Sequence, residues 1–293
     1  MKNTEDKISF FLFIFPSILL IVGLQIYPLL YSFFISFQDW VLLQSSEPQG
    51  TIGFDNYIYT FLNPAFLETL NFTFFLTATS VPIQLILGTC LALLISKNNS
   101  FHVITRAILV LPMVVAPVAV GTLWRLLYND TAGPINNHFL KLFNIEGPLW
   151  LGDIFWAKIA VLIVEVWQWT PFVFIVITAA LTLISQEIIQ AAQIDGATRL
   201  QIFIKIEMPL LLPAYALIIM FRTLESLLTL DSILSLTKGG PGSSTLNLTY
   251  FIYNKGLREF DLGVACAASW IFMLFAILII CAIYKLIIKS EDY

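Results

Sequence analysis

Residues 156–184 read WAKIAVLIVEVWQWTPFVFIVITAALTLI, a run broken only by Lys158 near its start and by Glu165 and a few uncharged polar side chains. An α-helix needs about 20 apolar residues to cross roughly 30 Å of hydrocarbon, and this run exceeds that. Five further stretches of the same kind lie on either side, at about 9–37, 69–96, 106–127, 208–230 and 262–287. A barrel strand needs only about 9–11 residues and alternates in polarity, so these lengths exclude a β-barrel. The expectation is an all-α membrane protein built as a six-helix bundle. Pro16, Pro28, Pro82, Pro112, Pro117 and Pro171 fall inside the runs. Prolines are tolerated there when neighbouring helices re-satisfy the freed carbonyls, which predicts packed, kinked spans.

Composition agrees. The 293 residues are 58% hydrophobic and 12% charged, and mean hydropathy is +0.86. A soluble domain carries about 25% charge. A net charge of -4 argues against a nucleic-acid partner. Cys90, Cys266 and Cys281 sit in apolar runs without a CxxC pair and read as small core residues. His102 and His138 stand far apart, so neither a metal site nor a Cys/His nucleophile is expected. Lys2 and Lys7 resemble the charged start of a signal peptide, but the apolar run after them is far longer than the usual ~7–15 residues. Bulky Phe37-Gln38-Asp39-Trp40 follows it where a small-residue cleavage site would stand. The run reads as a retained anchor.

Six spans place both termini on one side, and Lys and Arg mark which. That side carries Lys2, Lys7, Lys97, Arg106, Arg199, Lys205, Lys285 and Lys289; the other carries Lys141, Lys158, Lys238, Lys255 and Arg258. The first outer loop, about 38–68, has acidic residues and no Lys or Arg. Both termini are therefore expected in the cytoplasm. Residues 54–66 alternate aromatic and polar side chains, as an interfacial helix would.

On this topology residues 185–209 form a cytoplasmic loop. Ser185 is a suitable N-cap and Glu187 puts negative charge in the first turn. Gly196 is a suitable stop, because glycine enters the left-handed region at little cost. A short helix, a turn and a second helical stretch to Pro209 follow. Ile188, Ala191, Ala192 and Asp195 share one stripe, flat enough to lie in a groove of another protein.

This loop resembles the cytoplasmic loop of ABC importer permeases, E-A-A followed after two residues by D-G-A and then by an apolar helix ending at a proline. The matching residues are Gln190-Ala191-Ala192, Asp195-Gly196-Ala197, Phe203 and Met208-Pro209-Leu210 with Pro213. Gln190 stands where the family has glutamate, keeping length and a hydrogen-bonding oxygen but no charge. Thr237 to Thr245, with Gly239-Gly240-Pro241-Gly242, resembles the T-x-G-G-P-G-x-x-T segment of the sugar-type permeases, which include maltose and glycerol-3-phosphate importers. Phe251-Ile252-Tyr253, Phe260-Asp261-Leu262-Gly263 and Trp167-Gln168-Trp169-Thr170-Pro171-Phe172 continue the resemblance.

The resemblance implies a type I ABC importer permease in a prokaryotic cell membrane. It would be a single permease domain over 1–293, with a core at about 69–287, a preceding span at 9–37 and a coupling loop at 185–209. The implied partners are a second homologous permease, two cytoplasmic ATPase subunits and an extracytoplasmic solute-binding protein. It also implies ATPase coupling through Glu187, Gln190, Ala191, Ala192, Asp195, Gly196 and Ala197. ATP and Mg would be bound by the partner ATPase. The Gly-rich 239–244 segment lacks the lysine of a phosphate loop, so this chain is expected to hold no cofactor and to do no bond chemistry.

Ionisable groups at membrane depth ask for a function. Glu165, Arg222, Glu225 and Asp231 are of this kind. Arg222 and Glu225, three apart on a helix, can pair with each other. Alternatively Glu165, Trp167, Gln168, Trp169, Glu225 and Asp231 line a solute path, since sugars are held by hydrogen-bonding groups beside aromatic faces. The rival readings are an ATP-independent transporter or channel, which predicts inverted repeats or intramembrane ion ligands, and a membrane enzyme, which predicts clustered His, Asp or Cys. The sequence offers neither pattern.

Overall fold

The computed structural model describes residues 13–95 and 100–291, and leaves aside the side chains of 100–103, 139–140 and 286–291. Lys2, Lys7, Lys97 and the side chains of His102 and Lys289 lie outside the described residues.

In chain order the helices are α1 (Phe13–Ile35), α2 (Asp55–Leu62), α3 (Pro64–Leu94), α4 (Ser100–Val114), α5 (Pro117–Leu127), α6 (Ile154–Thr182) and α7 (Gln186–Ile194). Then come α8 (Arg199–Leu210), α9 (Leu212–Leu227), α10 (Asp231–Leu236), α11 (Leu248–Tyr253) and α12 (Leu262–Glu291). Strands β1 (Gln38–Asp39) and β2 (Gly50–Thr51) form a short antiparallel hairpin pairing Gln38 with Thr51. Helices α1, α3, α6 and the Leu262–Lys285 part of α12 are each long and apolar enough to cross a membrane.

The other two expected spans are not straight. Residues 104–127 bend by 98° between α4 and α5, and residues 199–227 bend by 66° between α8 and α9. The first bend has a local cause. Pro117 opens α5 without an N–H, and Ala116 before it is extended, with ψ 135°. The kink expected from the prolines of the 106–127 span is thus a full break. Counting each bent pair as one span gives six. The interfacial helix expected over 54–66 is also shorter: α2 ends at Leu62, Asn63 is extended, and fully buried Phe66 belongs to α3.

The chain divides into two compact units. One joins residues 13–63 to Ile252–Leu274. In it Asn56 Nδ2 donates to the carbonyls of Ser36 and Gln38, at 3.0 and 2.9 Å. The Leu42 N–H donates to Phe260 O, and the Leu262 N–H to Trp40 O. Asp261 caps the start of α12 by accepting from the Val264 N–H at 3.1 Å. Burial raises the Asp261 carboxyl above the usual range, and that hydrogen bond offsets part of the rise. A Cβ on Gly263 would stand 2.4 Å from Gln38 O, so only glycine fits there. This explains the Phe260-Asp261-Leu262-Gly263 segment as a junction of the fold.

The other unit spans Pro64–Phe251 with residues from Phe275 onward. Its centre is the packing of α3 on α6. Gly88 lets them close, because a Cβ there would meet Val173 Cβ at 2.5 Å. Ala92, Val173, Phe174, Ile177, Leu211 and Ile218 form a buried apolar cluster in this unit. Helix α5 lies against α10 across Gly121.

Candidate functional site

The 185–209 loop folds as its residues dictate. Ser185 Oγ accepts from the Glu187 N–H at 3.2 Å and starts α7. Gly196, with φ +80°, ends it. The Ala197 N–H then returns to Ala192 O and the Gly196 N–H to Gln193 O, both at 3.0 Å, the double closure of a Schellman motif. Two residues on, Thr198 and Gln201 form a reciprocal capping box that starts α8. Arg199 Nη1 then donates to Glu207 Oε1 at 2.6 Å and ties the two ends of that segment together.

The result is a rigid hairpin with an uncovered first helix. No residue of α7 is buried. Glu187, Gln190, Ala191, Asp195 and Gly196 are exposed, while Ala192 and Ala197 are half-buried. Ile188 is 48% exposed and Ile194 86%, an apolar surface of a kind that marks interaction sites when contiguous. A cavity of about 680 Å³ opens beside the hairpin, lined among others by Gln186, Ile189, Gln193, Arg199 and Glu207.

The second cluster sits between α3, α6 and α9. Arg222 is fully buried and donates through Nη2 to Glu165 Oε1 at 2.7 Å and through Nε to Gln84 Oε1 at 3.1 Å. Gln84 Nε2 donates to the Glu165 backbone carbonyl at 3.1 Å. Trp169 lies 4.5 Å under the guanidinium, a cation–π contact. The pairing of Arg222 with Glu225 considered from the sequence is therefore corrected. The guanidinium turns into the interior towards α6, while Glu225 lies half-exposed one turn along α9. Gln84 escaped the sequence reading, which took polar candidates from the fourth and fifth apolar runs and none from the second. An amide inside the apolar 69–96 run was the available signal.

The remaining candidates fall elsewhere. Gln168 is buried and donates through Nε2 to Val115 O at 3.3 Å. Trp167 is 41% exposed and meets Trp124 edge to face at 5.5 Å. Asp231 is exposed in the first turn of α10. Only Glu165 and Trp169 of the expected path residues thus join one contact network, together with Arg222.

Residues 61–290 match the family described as the binding-protein-dependent transport system inner membrane component. The chain belongs to this family. The permease is 34% identical over 261 residues to a probable ABC transporter permease of Sinorhizobium fredii, covering 89% of this chain and 83% of that one. It is 31% identical to the sulfoquinovosyl glycerol transport system permease of Agrobacterium fabrum, over 98% and 92% of the two chains. It is 30% identical to the trehalose/maltose transport system permease of Thermococcus litoralis, over 90% and 89%. In fold it is similar to a chain of a bacterial ABC transporter involved in alginate import, with a TM-score of 0.86, 22% identity and 98% of each chain covered. The protein is thus a multi-pass inner-membrane permease subunit of an ABC importer, a transport component and not an enzyme.

Proposed function

We propose that this permease carries a sugar or sugar-like solute, handed over by an extracytoplasmic binding protein and driven by two ATPase subunits that bind ATP and Mg. A second, homologous permease completes the pathway, and residues 1–293 act as one permease domain with both termini in the cytoplasm. The printed functions of the relatives, for trehalose/maltose, lactose and sulfoquinovosyl glycerol, support the sugar class.

The observation that carries the coupling reading is α7. It is capped at both ends, joined to α8 through a Schellman turn and a capping box, and left without a buried residue. A helix held so firmly yet covered by nothing suits docking into a groove on another subunit. Glu187, Gln190, Ala191, Ala192, Asp195, Gly196 and Ala197 form that docking surface, with Gln190 docking by shape and hydrogen bonding where the family has a charge. ATP closes the ATPases, α7 moves with them as a rigid body, and the spans shift between inward- and outward-facing states.

Within the membrane, Trp167, Gln168, Glu225 and Asp231 are proposed to border the solute path, and Glu165 and Trp169 to act from behind it by holding Arg222. The test is copurification with the ATPase and sugar uptake in reconstituted vesicles. Asp195→Arg should release the ATPase and abolish uptake. ATP-independent uptake by the permease alone would overturn the reading in favour of a secondary transporter.

A further inference from the structure

The break between α4 and α5 leaves backbone groups unpaired in the middle of a helix pair long and apolar enough to cross a membrane. The first N–H groups of any helix lack an intrahelical acceptor. In α5 Pro117 has none to offer, and no side chain caps the helix at Ala116. Among the described residues, the N–H groups of Val118 and Ala119 have no acceptor. The carbonyl of Val115 lost its usual donor to the same bend, and Gln168 Nε2 replaces it. The other half of that amide, Gln168 Oε1, is buried and has no partner among the described residues. Being on the same amide, it stands beside the break.

Ala116, Val118 and Ala119 are exposed. Open backbone donors cannot face lipid tails, where nothing accepts them; irregular backbone at that depth is tolerated only inside protein or along a water-filled cavity. In transporters built on broken helices, half-helix N-termini of this kind face the cargo.

We propose that the break at 115–119 lines the water-filled path, and that the N–H groups of Val118 and Ala119, with Gln168 Oε1 behind them, hold hydroxyl groups of the passing solute. The chemistry selects the class. The two N–H groups need an acceptor and Oε1 needs a donor, and hydroxyl groups supply both. A carboxylate would satisfy the N–H groups and leave Oε1 unpaired; an apolar solute would satisfy neither. Exposed Val114 and Val118 beside the donors offer apolar contact for the CH face of a ring. Gln168 also serves as the positioning residue of the break, since its bond to Val115 replaces the one the bend removed. The proposal rests on the importer reading above and adds where the solute is held.

The test uses the complete transporter with Cys90, Cys266 and Cys281 replaced by Ser, reconstituted with its ATPase and binding protein. Ala119→Cys is exposed to a membrane-impermeant thiol reagent, with and without maltose, trehalose and lactose, while uptake of the same sugars is followed. Expected is labelling that slows about tenfold when a transported sugar is present at ten times its half-saturating concentration, by mass action. Labelling that proceeds equally with and without a transported sugar overturns the site. No labelling in any ATPase state overturns the placement of the break on the aqueous path, and means that the partner permease or lipid covers it. If the Cys-free transporter takes up none of the sugars, the sugar reading fails separately, and the accessibility of Ala119→Cys still decides where the break lies. Gln168→Leu, which removes both halves of the amide, should raise the KM for uptake with ATPase assembly intact. An unchanged KM overturns the role given to Gln168.

Discussion

Arg222 and Glu165 are both fully sequestered, 0% and 2% exposed, and 57 residues apart in the chain. Removing one member of such a pair leaves a buried charge without compensation, which costs about 3–5 kcal/mol, whereas replacing both by apolar residues is often neutral. Glu165→Leu alone should therefore lower the melting temperature of the purified permease sharply. The double variant Glu165→Leu with Arg222→Met should recover most of the loss. Equal loss in the single and double variants would mean that the pair contributes through Gln84 and Trp169 instead. Sequence reading found both residues, but the one partner it weighed for Arg222 was Glu225 on the same helix. Spacing rules see only neighbours on one helix, and the contact between α6 and α9 is invisible until the helices pack. Gly196 presents the opposite case, fully legible in advance. Its φ is +80° and nothing lies within 4 Å of where a Cβ would stand, so its cost on substitution is purely conformational, about 1–2 kcal/mol for an L-residue. Gly196→Val should leave the permease assembled in the membrane and reduce sugar uptake per ATP hydrolysed, with Gly196→Asn milder. Coupling unchanged in both would separate this turn from the transmission of force.

Helices α5 and α10 meet through a second glycine with a different requirement. A Cβ on Gly121 would stand 2.0 Å from Ser235 Oγ and 2.6 Å from Ser232 O. The serine hydroxyl can turn aside, but the backbone oxygen cannot. Overpacking of this kind costs about 1–3 kcal/mol, and here it would push apart two elements that border the break. Gly121→Val should destabilise the permease by that amount and depress uptake, while Gly121→Ala with Ser235→Ala should restore part of both. Failure of the second variant to restore anything would locate the strain at the Ser232 carbonyl. The sequence made the existence of every long span legible, because apolar length alone requires a membrane. It also made the α7–α8 hairpin legible, because Ser185 and Gly196 are local signals. It did not reveal the 98° break, since prolines such as Pro82 and Pro171 sit inside continuous helices here. What separates Pro117 from them is the extended Ala116 before it and the Gln168 amide that stabilises the freed carbonyl. Neither can be read from hydropathy.

At the scale of the whole molecule, sidedness ties the parts to a direction of transport. The loops on the α7 side carry Arg106, Arg199, Lys205 and Lys285, and the first loop on the other side carries acidic residues with no Lys or Arg. Short loops rich in Lys and Arg stay in the cytoplasm because the insertion machinery and the membrane potential retain them. The proposed orientation would put α7 where an ATPase reaches it and the 128–153 loop where a binding protein does. Lys141, Lys158, Lys238, Lys255 and Arg258 run against the trend. Burial tends to lower the pKa of Lys255, but its bond to Glu259 at 2.6 Å outweighs that and raises it, so the charge is kept and locally neutralised. In the Cys-free background, exposed Gln190→Cys should therefore react with an impermeant thiol reagent only in inverted membrane vesicles. Leu142→Cys, 80% exposed in the opposite loop, should react only in intact cells or right-side-out vesicles. A reversed pattern would place α7 outside, remove it from any cytoplasmic ATPase, and overturn the coupling assignment with the orientation.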